Sequence, residues 1–174
     1  MNRSFGLWQF SGFALTSLLG TLLHFLYDLT GGSLLVAPFS GTNESTFEHM
    51  KLLFWPMFLF ALLQSLFFKE RQDFLGIKLR GILLGLVLIP FLFYGYNGVI
   101  GRSPDLVNVA IFFLSAALAY LYETSLFKKG ALCRSAPKRA FSALLCIALL
   151  FILFTFRTPR IALFKDPVTG GYGI

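Results

Sequence analysis

The chain has 174 residues, of which 56% are hydrophobic and only 13% are charged, and its mean hydropathy is +0.74. A soluble domain carries about 25% charged residues, so this composition excludes an ordinary soluble protein and indicates a membrane protein. The formal net charge of +7 does not indicate nucleic-acid binding, because the basic residues lie in short segments between hydrophobic runs, where they set membrane topology.

Five hydrophobic runs are long enough to cross a bilayer, and they predict an all-α, polytopic fold in a single transmembrane bundle. The runs cover residues 7–27, 52–68, 76–96, 106–122 and 140–156. The first run is followed by Asp28 and has no small-residue cleavage site, so we expect a retained membrane helix. The second run is short, and we expect its helix to begin before Leu52.

The distribution of lysine and arginine predicts that the N-terminus lies inside and the C-terminus outside. Ten basic residues then lie on the inner side: Arg3, Lys69, Arg71, Lys78, Arg80, Lys128, Lys129, Arg134, Lys138 and Arg139. Five lie on the outer side: Lys51, Arg102, Arg157, Arg160 and Lys165. We expect Glu123, near the inner end of the fourth run, to pair with Lys128 or another inner basic residue.

This orientation places most of the unusual polar residues on the outer face, in segments 28–50, 97–105 and 158–174. The first of these segments contains an apolar stretch, residues 34–39, which predicts a re-entrant or interfacial loop. The last segment is rich in turn-forming and apolar residues, and we expect it to fold back on the outer face with Asp166 near the histidines.

Small residues recur at four-residue spacing in the first run, at Gly12, Thr16 and Gly20. This spacing lets helix backbones approach closely in lipid. His24 and Asp28 continue the row, so we expect His24 to point into the bundle rather than at lipid.

Both histidines of the chain, His24 and His49, fall at the outer boundary of the membrane. His49 ends a polar segment, Asn43–His49, that holds two carboxylates, two hydroxyls and an amide. Ionisable groups are costly at such a boundary, so a functional site is the default hypothesis. We interpret His24, Asp28 and His49 as candidate metal ligands, because two imidazoles and a carboxylate can hold zinc with a position open for water.

Three other residues of the polar segment are candidate catalytic groups: Glu44, Ser45 and Glu48. A carboxylate that is not a ligand would serve as general base toward metal-bound water. Two alternatives stay open. Ser45 and Glu48 also match a capping box, with Ser45 as the N-cap, and the same acid–base groups could bind an organic ligand or relay protons without a metal.

Five outer residues are candidates for contacting a substrate: Asn43, Tyr96, Asn97, Arg102 and Asp166. Arg102 is the outer-loop cation best suited to clamp a phosphate or carboxylate. Contact with a lipid headgroup is the alternative interpretation of Arg102.

Residues 43–51 read Asn-Glu-Ser-Thr-Phe-Glu-His-Met-Lys, between His24 and Pro56. This region resembles a family of small bacterial multi-pass membrane proteins of unknown function, and residues 163–173 are similar to that family's ending. The resemblance implies a five-helix protein of the bacterial cytoplasmic (inner) membrane, and it implies no activity.

A looser similarity, at His24, Asp28, Ser45 and His49, is to the membrane hydrolases that include alkaline ceramidases and adiponectin receptors. These enzymes use Ser, Asp and three His around intramembrane zinc. This chain has two histidines and lacks two of those enzymes' helices, so a carboxylate would complete the zinc ligands.

The first functional expectation is therefore a metal-dependent hydrolase that acts on a lipid or amphiphile at the outer face. The alternatives are a subunit that binds or transports a small solute and an accessory subunit of a larger membrane complex. The expected partners are membrane lipids and a lipid-like or small-molecule ligand, with homo- or hetero-oligomers and no nucleic acid.

Overall fold

The computed structural model describes residues 3–101, 104–129 and 137–174. The five helices of this part are α1 Arg3–Leu29, α2 Thr46–Phe67, α3 Phe74–Ile100, α4 Asp105–Lys129 and α5 Pro137–Phe156, with a 3-10 turn at Ala162–Phe164. Each of the five is long and apolar enough to cross a membrane. The prediction of an all-α, polytopic membrane protein is therefore confirmed, and α2 begins before Leu52 as expected.

Helices α1 to α4 form a ring in which each helix packs against two neighbours, and α5 lies outside the ring against α3 and α2. Helix α2 is the most enclosed, since 61% of its apolar membrane-spanning stretch is buried, compared with 17% for the same stretch of α1. The core around α2 is largely aromatic, with Phe54 and Phe58 stacked at 5.3 Å between ring centroids. The end of α1 and the start of α2 lie at the same end of this bundle. We call it the outer end, following the basic-residue count.

The row of small residues in α1 marks a close helix contact, as predicted. A Cβ atom at Gly12 would lie 2.5 Å from the ring of Phe60. A Cβ atom at Gly20 would overlap the ring of Phe112 and lie 3.0 Å from the carbonyl oxygen of Leu52. Glycine at these positions allows α1 to reach both α2 and α4.

The inner turn between α2 and α3 is held by Arg71, whose guanidinium donates to both oxygens of Asp73 at 2.8 and 2.7 Å. These hydrogen bonds are the main reason that the pKa of Asp73 is held below its ordinary value. Arg71 also lies over the ring of Phe127, 4.3 Å from its centroid. The turn is therefore fixed to α4.

Candidate ligand site at the outer end

The outer loop, residues 30–45, is fastened to the bundle by buried donors of α2. Lys51 Nζ donates to the carbonyl of Ala37 at 2.8 Å, and Trp55 Nε1 donates to the carbonyl of Pro38 at 2.9 Å. Because buried donors of this kind are rarely left unpaired, the contacts fix where the loop crosses the bundle. The loop is a packed cap over the helix ends.

A side chain of the same loop inserts between two backbone hydrogen-bonding groups of α1 beside His24. The Ser40 hydroxyl donates to the carbonyl of Leu23 and accepts from the backbone N–H of Tyr27 at 2.9 Å. In a regular α-helix the N–H of Tyr27 would bond the carbonyl of Leu23 directly. The N–H of Gly41 donates to the same carbonyl at 3.2 Å. An inserted side chain of this kind distorts a helix locally, and here the distorted turn is the one that contains His24.

The polar segment Asn43–His49 forms the start of α2. Ser45 is the N-cap, and its hydroxyl accepts from the N–H of Glu48 at 3.4 Å. Asn43 Oδ1 accepts from the N–H of Ser45 at 2.8 Å, and Glu48 Oε2 accepts from the N–H of Thr42 at 2.8 Å. The capping alternative is therefore favoured. Glu48 accepts from the N–H of Thr42, three residues before the N–H of Ser45 that a standard capping box uses.

Glu48 is also one partner of a buried ion pair. Its Oε2 lies 2.7 Å from Lys51 Nζ, and the two side chains are 4% and 0% exposed. Lys51 Nζ also donates to Thr155 Oγ1 of α5 at 3.1 Å. The outer loop, α2 and α5 thus meet at this pair. The catalytic roles predicted for Ser45 and Glu48 stay predictions, and the geometry gives both residues a structural role.

The two histidines meet across Glu44. His24 Nε2 lies 3.5 Å from Glu44 Oε1, His49 Nε2 lies 3.6 Å from Glu44 Oε2, and the two imidazole centroids are 5.6 Å apart. His49 Nδ1 lies 3.0 Å from the carbonyl oxygen of Ser45. Since a carbonyl only accepts, Nδ1 carries a proton and Nε2 is the atom presented to the site. We call these three side chains the His–Glu–His cluster.

The His–Glu–His cluster is partly open, because the Glu44 side chain is 43% exposed and the imidazoles are 29% and 17% exposed. The separations between imidazole nitrogen and carboxylate oxygen are longer than a good direct hydrogen bond. No atom fits between the rings and the carboxylate at these separations, so a further polar group would have to reach all three from the exposed side of the cluster. Its chemistry is that of two imidazoles and one acidic acceptor.

An apolar cleft of about 190 Å³ lies next to the cluster, between α1, α2 and α4. It is lined by Gly20, Thr21, His24, Phe25, His49, Leu52, Val109, Phe112 and Phe113. The imidazoles close its outer part, and Gly20 lies one helical turn deeper along α1. The cleft therefore combines hydrocarbon walls with a polar end.

The remaining predicted site residues lie elsewhere at the outer end. Asp28 is exposed, and no ion pair or hydrogen bond joins its carboxylate to another side chain in the described part of the chain. Tyr96 and Asn97 are half-buried near the end of α3. Arg102 falls outside the described residues. The structure thus brings together His24 and His49 of the three predicted metal ligands, with Glu44 in the place expected for Asp28.

The C-terminal tail folds back on the outer end, as predicted, but through residues other than Asp166. The Asp166 carboxylate accepts from the N–H of Val168 at 2.8 Å and from the hydroxyl of Thr169 at 2.7 Å, which closes a turn of the tail itself. Asn43 Nδ2 donates to the carbonyl of Gly173 at 3.1 Å. Asn43 therefore joins the tail to the polar segment, and its predicted role in substrate binding stays a prediction.

Zinc binding stays a prediction. Across residues 3–101, 104–129 and 137–174, no group of three or more His, Cys, Asp or Glu side chains is arranged to hold a metal ion. The nearest candidate ligand set would be His24, Glu44 and His49.

A comparison with protein families matches residues 2–174 to DUF6512, a family of unknown function. The chain belongs to DUF6512. This agrees with the expected membership in a family of unknown function, whereas the likeness to alkaline ceramidases and adiponectin receptors stays a prediction. No curated protein and no solved structure matches the chain. The function of this DUF6512 chain must therefore be argued from its site.

Proposed function

We propose that this protein binds an amphiphile at the outer face of the membrane, with its chain in the apolar cleft and its polar end at the His–Glu–His cluster. The observation that carries the proposal is the cleft itself, in which apolar walls end at two imidazoles that share a carboxylate. Ligand sites typically combine apolar walls with a few placed polar groups. The bacterial cytoplasmic membrane is the proposed location, as the family resemblance implies.

The size of the cleft limits the ligand. Its volume of about 190 Å³ is below the roughly 300–1,000 Å³ of sites that enclose drug-sized molecules. A cleft of this size accommodates one short hydrocarbon chain or one ring rather than a whole two-chain lipid. The rest of the ligand would stay in the bilayer or at the membrane surface.

The polar end favours a neutral or cationic head over a phosphate. The Glu44 carboxylate lies between the imidazoles, so an anionic head would face a like charge. Lys51, the buried cation nearest to His49 in the sequence, is already paired with Glu48. A hydroxyl, carbonyl or amine can exchange hydrogen bonds with imidazole and carboxylate without that repulsion.

Metal-dependent hydrolysis of an amphiphile is the second candidate. It is favoured by the contact between His49 Nδ1 and the carbonyl of Ser45, because metal-bound imidazoles are commonly oriented by such a hydrogen bond on the other nitrogen. Zinc at the His–Glu–His cluster would supply an activated water. Binding ranks first because no three His, Cys, Asp or Glu side chains of the described residues are arranged to hold a metal ion. No specific contact among those residues favours a transport or accessory role.

Filling the cleft should weaken ligand binding. Val109 and Leu114 of α4 are similarly exposed, at 50% and 48%, but only Val109 lines the cleft. We expect Val109→Phe to weaken binding of a monoacylglycerol by about tenfold or more, equivalent to about 1.4 kcal/mol, because the larger ring occupies the ligand's volume. Leu114→Phe should bind as the wild type does.

Native mass spectrometry of the purified protein, titrated with the monoacylglycerol, measures this directly and also reports any bound zinc by mass. Equal binding by wild type, Val109→Phe and Leu114→Phe would contradict the proposed site. A zinc mass that is present in wild type and lost in His49→Ala would instead support the hydrolase.

A further inference from the structure

A second polar cluster, separate from the ligand site, lies in the inner half of the bundle. Four helices contribute one side chain each: Gln9 of α1, Gln64 of α2, Lys78 of α3 and Glu123 of α4. Lys78 Nζ lies 2.5 Å from Glu123 Oε2, and both side chains are 0% exposed. Glu123 is thus paired with an inner basic residue, as expected, and the partner is Lys78 rather than Lys128.

The charges of this cluster are placed inside membrane-spanning helices. Lys78 lies about one turn into α3, and Glu123 lies nearly two turns from the end of α4. Apolar side chains of similar volume would commonly hold helices together as well as a buried ion pair does. An ionisable pair at this depth is therefore better explained by a functional role than by a contribution to stability.

Two hydrogen-bond acceptors of the cluster have no donor among the described residues. Glu123 Oε2 accepts from Lys78 Nζ and from Gln9 Nε2 at 2.8 Å. Glu123 Oε1 and Gln64 Oε1 are buried with no hydrogen-bond partner among the described residues. Both unpartnered atoms are acceptors, so the cluster has too few hydrogen-bond donors for its acceptors.

The space around the Glu123 carboxyl group is also specific. Gly81 of α3 faces it, and a Cβ atom there would overlap the carboxyl group. The ring of Tyr120 also contacts the cluster, with Lys78 Nζ 4.9 Å from its centroid. The titratable groups that face Glu123 from the packed helices are therefore Lys78 of α3 and Tyr120 of its own helix, while Gln9 and Gln64 contribute neutral amides.

We propose that Glu123, held by Lys78 and Gln9, is a proton-binding site within the membrane. A hydronium ion on the inner side supplies the proton: one of its O–H bonds breaks, an O–H bond forms at Glu123 Oε1, a water molecule is left, and the charge of the cluster rises by one. Lys78 keeps its proton and continues to donate to Oε2, and the Tyr120 ring faces its ammonium group. This function is independent of amphiphile binding at the outer end.

Infrared spectroscopy of the full chain in lipid nanodiscs tests the proposal, because a protonated carboxyl group has a C=O band that a carboxylate lacks. We expect a carboxylic-acid band to grow as the pH is lowered, to shift in D2O and to be lost in Glu123→Gln. The matched control is Glu70→Gln, since Glu70 is exposed in the inner turn, and it should retain the band.

The absence of such a band in the wild type at every pH, or its retention in a folded Glu123→Gln, would overturn the proposal. If Glu123→Gln does not fold, 13C-labelling of glutamate in the wild type identifies the band as a glutamate band. Glu44→Gln, Glu48→Gln and Glu70→Gln should then each retain it, and loss of the band in any one of them would assign the proton elsewhere.

Discussion

Lys51→Met is expected to destabilise the protein by about 3–5 kcal/mol, the typical cost of leaving one member of a buried ion pair without its partner. Lys51 is fully buried and bonds Glu48, the carbonyl of Ala37 and the hydroxyl of Thr155. The substitution leaves the Glu48 carboxylate without its cation and removes the hydrogen bond from Lys51 to the outer loop at Ala37. Reversible unfolding in mixed detergent micelles measures the free energy of unfolding.

The control for this prediction is Lys69→Met, because Lys69 is exposed in the inner turn and such substitutions usually change stability by less than about 0.5 kcal/mol. The double variant Lys51→Met, Glu48→Gln should recover part of the loss, since no unpaired charge remains. If Lys51→Met proves as stable as Lys69→Met, the buried network does not hold the outer loop.

The second large effect is expected at Gly20, where alanine should destabilise the protein by about 1–3 kcal/mol through overpacking. The added methyl group would overlap Phe112 and press on the Leu52 carbonyl, a backbone group that cannot rotate away. Because Phe112 also lines the cleft, Gly20→Ala should weaken binding of the monoacylglycerol as well. Unfolding and ligand titration of the same sample measure both effects.

Gly98→Ala is the matched control for Gly20→Ala, since nothing lies within 4 Å of a Cβ atom at Gly98. Alanine is the better helix former by up to about 1 kcal/mol, so Gly98→Ala should be neutral or stabilising. The same substitution is thus expected to destabilise the protein at Gly20 and to be neutral or stabilising at Gly98. Equal effects at both glycines would mean that α1 does not approach α2 and α4 as closely as described.

The five helices could be predicted from the sequence because hydrophobic length alone determines which segments cross a membrane. Their ends could not, because polar residues continue the helix beyond the apolar run. Helix α2 begins at Thr46, six residues before the predicted run, since Ser45 and Asn43 satisfy its first N–H groups. Capping, rather than hydropathy, sets that boundary.

The convergence of His24 and His49 could be predicted because both lie at helix ends joined by one loop. The four-residue spacing from His24 predicts Asp28 at the same site, but each four-residue step rotates by about 40° around the helix. The exposed end of α1 therefore turns Asp28 outward, and Glu44 of the loop lies between the imidazoles instead.

The buried partners of lysine could not be predicted, because they depend on contacts between distant segments. Lys51 and Lys78 look like loop-flanking cations in the sequence, yet both are enclosed in ion pairs. Without them the basic residues divide nine to four, so the predicted orientation is unchanged. The insertion of Ser40 into α1 has no sequence signal, since the loop holds several similar small polar residues.

The most direct test of amphiphile binding is photocrosslinking in lipid nanodiscs. The probe is a monoacylglycerol with a diazirine at the end of its chain, and the crosslinked residues are mapped by mass spectrometry. Binding in the cleft predicts adducts concentrated on Val109, Phe112 and Phe113, which excess unlabelled monoacylglycerol prevents. Adducts confined to positions outside the cleft, such as Leu114 and Leu149, and insensitive to the competitor would contradict it.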